Sequence, residues 1–163
     1  MVNGKKSETC CFTGHRVIPI DEREAIKQRL KEEIVDLIRQ GVRYFATGGA
    51  LGFDTMAARA VLKLKREYPH IRLILVLPYR DQQEKWRAWD KFVYDLILDQ
   101  ADKVVYISRY YTRDCMHKRN RHLVDHSGIC VCYLTNPHSG TAYTVDYARQ
   151  RGLRIINLAP QSR

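Results

Sequence analysis

Thr47-Gly48-Gly49-Ala50-Leu51-Gly52-Phe53-Asp54 is the stretch on which the reading of this chain turns. An apolar run, Tyr44-Phe45-Ala46, leads into it, and Phe53, Met56, Ala57, Ala60, Val61 and Leu64 lead out at helical spacing. A continuous apolar run, a glycine-rich turn and a 3.6-residue period predict strand, turn and helix in that order. Glycine lets the backbone come close to a ligand. A helix start offers unpaired N–H groups and the positive end of a dipole. The turn is therefore a candidate phosphate cradle at Gly48, Gly49, Ala50 and Gly52. It lacks the Gly-Lys-Ser/Thr of a Walker loop and the GxGxxG of a dinucleotide site. Asp54 either complements the new helix dipole or holds a ribose hydroxyl.

The same alternation runs through the rest of the chain. Strands are expected at Thr9–Thr13, Tyr44–Thr47, Ile71–Leu77, Lys103–Ile107, Ile129–Leu134 and Arg154–Asn157. Runs such as Leu73-Ile74-Leu75-Val76-Leu77 are apolar without alternation, as in parallel strands covered on both faces. Between them lie helical patterns. Asp21 with Glu24 has capping-box spacing, Ile26, Leu30, Ile34, Leu37 and Ile38 form one face, and Gly41 is the stop. Trp89, Phe92, Val93, Leu96 and Ile97 form a third stripe, which assigns Trp89 to the core. A fourth helix is expected over about 113–126 and a fifth from near Thr141 to Gly152. This order predicts a three-layer α/β Rossmann-like domain with a mainly parallel sheet of about six strands. One domain spans residues 1–163, with loose ends at about 1–7 and 159–163.

Composition narrows the partners. The net charge is +10, from 28 basic and 18 acidic residues, which favours nucleotides, phosphosugars or nucleic acid. No apolar run is long enough to span a bilayer, and no basic-apolar-small leader opens the chain, so the expectation is a cytoplasmic protein with no membrane partner. The five cysteines form no CxxC pair, and Cys10, Cys11, Cys130 and Cys132, in apolar runs, read as reduced small hydrophobes. His122 and His126 are four apart, but their helix is basic and carries no HExxH glutamate, so no metal and no cofactor are assigned.

In a doubly wound fold, ligands bind outside the carboxyl ends of the strands. Three loops and one helix there carry the candidates. Gly14-His15-Arg16 follows the first strand and places a histidine and an arginine at the rim. Gly48–Asp54 follows the second. Ser139-Gly140-Thr141 follows the fifth, with Thr141 as a candidate N-cap. Arg119 and Asn120 belong to the basic segment Cys115–Asp125 and are the pair expected to aim inward. Trp86 is left free to wall the pocket.

With these motifs in this order, the chain resembles the SLOG superfamily of Rossmann-like domains. That superfamily joins the Smf/DNA-processing-protein-A type to the Lonely Guy phosphoribohydrolases, and the likeness is greatest to a stand-alone YpsA-like branch. Phe12-Thr13-Gly14-His15-Arg16, Gly48-Gly49-Ala50-Leu51-Gly52-Phe53-Asp54 and Gly140-Thr141 with Tyr147-Ala148 carry it. Met116-His117-Lys118-Arg119-Asn120-Arg121-His122-Leu123 is similar to the Met-x-x-Arg-Lys-x-x-Met helix of the Lonely Guy enzymes. Arg119 falls at their catalytic arginine, Asn120 replaces lysine and Leu123 replaces methionine. His138-Ser139-Gly140-Thr141 resembles a shortened Pro-Gly-Gly-x-Gly-Thr, but the glutamate that follows is absent: Ala142, Tyr143 and Thr144 stand there, and the next acid is Asp146. N-glycosidic cleavage needs a carboxylate near the ribose. The resemblance thus implies binding, sensing or processing of a nucleotide-derived small molecule, ahead of phosphoribohydrolase activity through Arg119. It also admits single-stranded nucleic acid and a homo-oligomer.

Overall fold

The structure, a computed structural model, describes residues 6–160. Six strands carry the fold: β1 (Thr9–Gly14), β2 (Tyr44–Thr47), β3 (Arg72–Tyr79), β4 (Lys103–Ser108), β5 (Ile129–Tyr133) and β6 (Arg154–Asn157). Five helices connect them: α1 (Arg23–Arg39), α2 (Phe53–Leu64), α3 (Ala88–Gln100), α4 (Cys115–Asp125) and α5 (Gly140–Gln150). All neighbouring strands pair in parallel, in the order β4-β3-β2-β1-β5-β6. The predicted three-layer α/β architecture is the one observed.

Strand alternation builds the layers. Phe12, Phe45, Leu73, Leu75 and Val131 face one side, where Leu30 of α1, Val61 of α2 and Ile97 of α3 cover them. Cys11, Ala46, Ile74, Val76, Cys130 and Cys132 face the other, under Leu123 and Val124 of α4 and Val145 and Ala148 of α5. Each large side chain fully buried this way contributes about 1.5–3 kcal/mol. Cys10, Cys11, Cys130 and Cys132 are free and buried, as expected of small hydrophobes, and so is Cys115. No helix among the described residues is long and apolar enough to cross a membrane.

Three local expectations fail. Asp21 and Glu24 do not form a capping box. A short 3-10 turn, Ile20–Glu22, precedes α1, and Glu22 at the N-cap position makes no side-chain cap bond. Pro19 sets the entry, and Arg23 Nε donates to Ile18 O at 3.2 Å. The α3 stripe is also turned. Trp89 is 67% exposed, and Phe92 and Leu96 are exposed beside it, whereas Tyr94 and Ile97 are buried. Trp86, expected to be free, packs edge-on against Tyr94 with centroids 5.2 Å apart. Apolar spacing gives a period, and two apolar faces on one helix leave its phase undetermined.

The loose ends expected at 1–7 and 159–163 fall in part on residues 1–5 and 161–163, which lie outside the described residues. Within the described part, Lys6–Glu8 forms a 3-10 turn and Ala159 is buried.

β1 and β5 are neighbours, yet the chain runs from β1 to β2, β3 and β4 on one side and places β5 and β6 on the other. The carboxyl ends of β1 and β5 are therefore the topological switch point, where open α/β sheets form a crevice.

Candidate functional site

Three loops meet at that crevice and brace each other through backbone bonds. His15 N donates to Tyr133 O at 3.3 Å, and Phe53 N donates to His15 O at 3.1 Å. His15 Nε2 accepts from Thr135 N at 2.9 Å and Asn136 N at 3.2 Å. That ring is therefore the Nδ1–H tautomer, and partial burial holds its pKa below the usual histidine value. His15 ties the β5 loop to the β1 loop.

The glycines are dictated by this closeness. Gly52 has φ +77°, and a Cβ there would lie 2.2 Å from Arg16 O. Gly49 has φ +70°, and a Cβ there would meet Leu77 Cδ2 at 2.5 Å. At Gly14, a Cβ would meet Phe53 at 2.5 Å. Gly48 lies against the guanidinium of Arg119, 2.7 Å from where a Cβ would stand to Nη1. Gly140 is the exception, with nothing within 4 Å of an added Cβ. It opens onto free space.

Arg119 reaches in from α4 and is 6% exposed. Its Nη1 donates to Gly48 O at 2.6 Å and its Nε to Asn120 Oδ1 at 2.7 Å. Asn120 is half-buried and acts as the clasp on that side chain. Burial pushes the Arg119 pKa down, with the charge of Asp54 opposing.

Asp54 faces it from the first turn of α2, also 6% exposed. Its Oδ2 accepts from Ala50 N at 3.1 Å, and Thr55 Oγ1 donates to Ala50 O at 2.9 Å. Burial pushes its pKa up to about 6, against the pull of Arg119, the loop amides and Arg16. The carboxylate thus already occupies an amide of the Gly48–Ala50 turn. A turn that looks like an empty anion cradle in the sequence carries its own anion.

The β5 loop is capped from within. Ser139 Oγ accepts from Ala142 N at 3.1 Å and donates to Asn136 O at 2.7 Å, so Ser139 is the N-cap of α5. Thr141 is buried in the first turn and is not the cap. Asp146 points to solvent and pairs with Arg149 at 3.2 Å. Asp125, at the far end of α4, holds Tyr147 Oη and Arg151 Nε.

Sequence reading missed two residues at the site. Gln82 is buried, with Nε2 3.4 Å from Gly49 O and 3.2 Å from Tyr94 Oη. Thr47, at the end of β2, is fully buried, and its hydroxyl has no partner among the described residues. Gln82 lies in a polar turn segment with nothing local to mark it, and Thr47 reads as one more strand residue. His122 and His126 stack at 4.2 Å, and no group of three or more metal-capable side chains exists among the described residues.

Residues 5–155 match the YspA SLOG family. The chain belongs to this family. Its relatives include the SPbeta prophage-derived protein YoqJ of Bacillus subtilis, 32% identical over 138 residues, which cover 77% of this chain and 81% of YoqJ. A UPF0398 protein of Halalkalibacterium halodurans is 33% identical over 129 residues, 77% of this chain and 68% of that protein. Among solved structures, DNA processing protein A from Helicobacter pylori, described for its single-stranded DNA binding mode, superposes with a TM-score of 0.70. That match has 18% identity and covers 96% of this chain and 67% of the other. The Streptococcus pneumoniae DNA processing protein A gives 0.64 at 15% identity, over 94% of this chain and 50% of the other. At such identities the two structures share the fold of this SLOG domain.

Proposed function

We propose that this SLOG domain binds a nucleotide or a nucleotide-derived phosphorylated molecule at the crevice between the β1, β2 and β5 loops. The observation that carries the reading is the buried Arg119 seated on Gly48 beside the switch point, with exposed Arg16 close enough to act on both Arg119 and Asp54. Two cations and one carboxylate leave a net positive site, which suits an anion. Asp54 holds the Ala50 amide, so the phosphate belongs elsewhere, at the open start of α5, where Gly140 leaves room, and near Arg16. Asp54 and the Gly48–Ala50 turn then meet the sugar, whose hydroxyls donate to a carboxylate that repels phosphate.

Calorimetric titration with a panel of nucleotides tests this, and saturable binding is expected. Gly140→Glu is the informative variant: an acid in the first turn of α5 suits the helix dipole and has open space, but it repels phosphate. Retained folding with lost binding is the expected result. Absence of binding by any nucleotide at millimolar concentration refutes the reading.

Nucleic acid is the second reading, supported by the description of the Helicobacter pylori neighbour and by the charge of +10. Affinity that falls steeply with salt, in proportion to phosphates contacted, favours it, and a flat response removes it. For cleavage, Asp54 is the one buried carboxylate among the described residues and the acid whose charge acts on Arg119. Base release from a nucleotide library, lost in Arg119→Ala, is the assay that decides.

A further inference from the structure

At the carboxyl ends of β3 and the edge strand β4 lies an open depression of about 460 Å³. Arg80, Tyr106, Ile107, Ser108 and Arg109 line it. Its size is that of a small-ligand site. The Arg80 guanidinium lies over the Tyr106 ring, 4.5 Å from its centroid. Arg109 sits 5.8 Å from the centroid of Tyr110. Tyr110 and Tyr111 are 70% and 65% exposed, and Tyr111 stands edge-on to Tyr79 at 5.6 Å. Ser108 Oγ donates to Tyr110 O at 2.6 Å and fixes the turn that presents these rings. Exposed tyrosines interleaved with arginines offer flat π surfaces and positive charge together, the combination that holds unpaired bases along a phosphate backbone.

Position supplies the second argument. The sheet order puts β4 two strands from β2. Neighbouring strands lie about 4.8 Å apart, so the two ends are separated by about 10 Å. A stacked strand advances about 3.4 Å per nucleotide, so the interval corresponds to about three nucleotides. The Arg80–Arg87 turn links the two places, since Arg80 borders the depression and Gln82 contacts Gly49.

We propose that the Arg80–Tyr106–Arg109 depression is a base-stacking subsite, which takes an unpaired nucleobase of a short single-stranded nucleic acid whose first nucleotide sits in the loop crevice with its sugar at the Gly48–Ala50 turn after β2. This rests on the loop crevice being a nucleotide site, and it sets the length of the ligand. A mononucleotide fills the loops alone, whereas a strand of four reaches the arginine and tyrosine surface.

The test compares a deoxythymidine tetranucleotide with deoxythymidine monophosphate, by fluorescence or calorimetric titration at one fixed salt concentration. Wild type is expected to hold the tetranucleotide more tightly. Tyr106→Leu keeps the apolar contact with the core and removes the ring on which the Arg80 guanidinium rests. Arg80→Ala changes an exposed residue and leaves the fold alone. Both are expected to weaken the tetranucleotide by about fivefold or more, and to leave the monophosphate unchanged. Equal wild-type affinity for the two lengths, or an unchanged tetranucleotide affinity in Arg80→Ala, overturns the proposal while the loop site stands. Failure of wild type to bind either ligand sinks the loop reading itself and this proposal with it. Should Tyr106→Leu lose its far-ultraviolet circular dichroism, Arg80→Ala decides alone.

Discussion

Replacing Asp54 with asparagine isolates one buried charge and asks whether burial or attraction governs it. Asp54 touches Ala50 N and feels Arg119, Arg16 and the loop amides, all of which favour the ionised form. Burial opposes them and wins, carrying the pKa from 3.8 to about 6. At about 1.4 kcal/mol per pH unit, that rise corresponds to about 3 kcal/mol. A carboxyl whose pKa rises on folding takes up a proton on folding between the two values. Its stabilising contribution is therefore present below pH 3.8 and lost as pH climbs through about 6. Asparagine cannot titrate. Urea unfolding of wild type and Asp54→Asn at matched pH from 4 to 8 gives the difference directly, and every other titrating group cancels in it. Wild type should gain on the variant by up to about 1.4 kcal/mol per unit as pH falls through this window. The offset between asparagine and a neutral aspartic acid is constant and does not affect the slope. A flat difference would mean that Arg119 and the amides balance desolvation, and one in which wild type gains as pH rises that they outweigh it; in either case the argument would fail.

Gly52→Ala puts a Cβ 2.2 Å from Arg16 O at φ +77°, so backbone strain and overpacking together should destabilise by about 3 kcal/mol, read from urea midpoints. Gly140→Ala, with nothing within 4 Å, should stay within about 0.5 kcal/mol of wild type in the same measurement. The two tryptophans should separate as sharply. Trp86→Ala removes a ring packed on Tyr94 and should cost about 2 kcal/mol, while exposed Trp89→Ala should change stability by less than about 0.5 kcal/mol. Equal effects at the two positions would refute the placement of α3.

The strands were legible because each is a short apolar run bounded by a turn, and a parallel strand covered on both faces has no other way to look. β2 and β6 match their expected spans to the residue, and the loops that meet at the crevice are those that follow β1, β2 and β5. Arg119 was legible through its surroundings: in a helix of solvated cations, the motif around Met116 singled it out. The failures share a cause. Trp89 and Trp86 exchanged roles because the phase of a helix is set by what packs on it, and period alone does not contain that. Asp54 looked like a charge waiting for a dipole or a ribose. Only its position shows that it accepts from the turn's own amide, four residues back in the chain. Gln82 contacts Gly49 across thirty-three residues, and no local pattern announces such a partner.

His15 gives its backbone oxygen to one loop and its ring nitrogen to another, and Gly52 lies flat against its neighbour Arg16. The three loops are thus one assembled object contributed by distant parts of the chain. Transplanting specificity between members of this family is therefore an all-or-none operation. A chimera that exchanges only the Gly48–Asp54 turn inherits a donor and a steric profile cut for someone else's histidine loop. One that carries the Gly14–Arg16, Gly48–Asp54 and Thr135–Thr141 segments together keeps the joints intact. Natural variation in what the crevice accepts should accordingly appear as correlated change in these segments, with the sheet beneath them left alone.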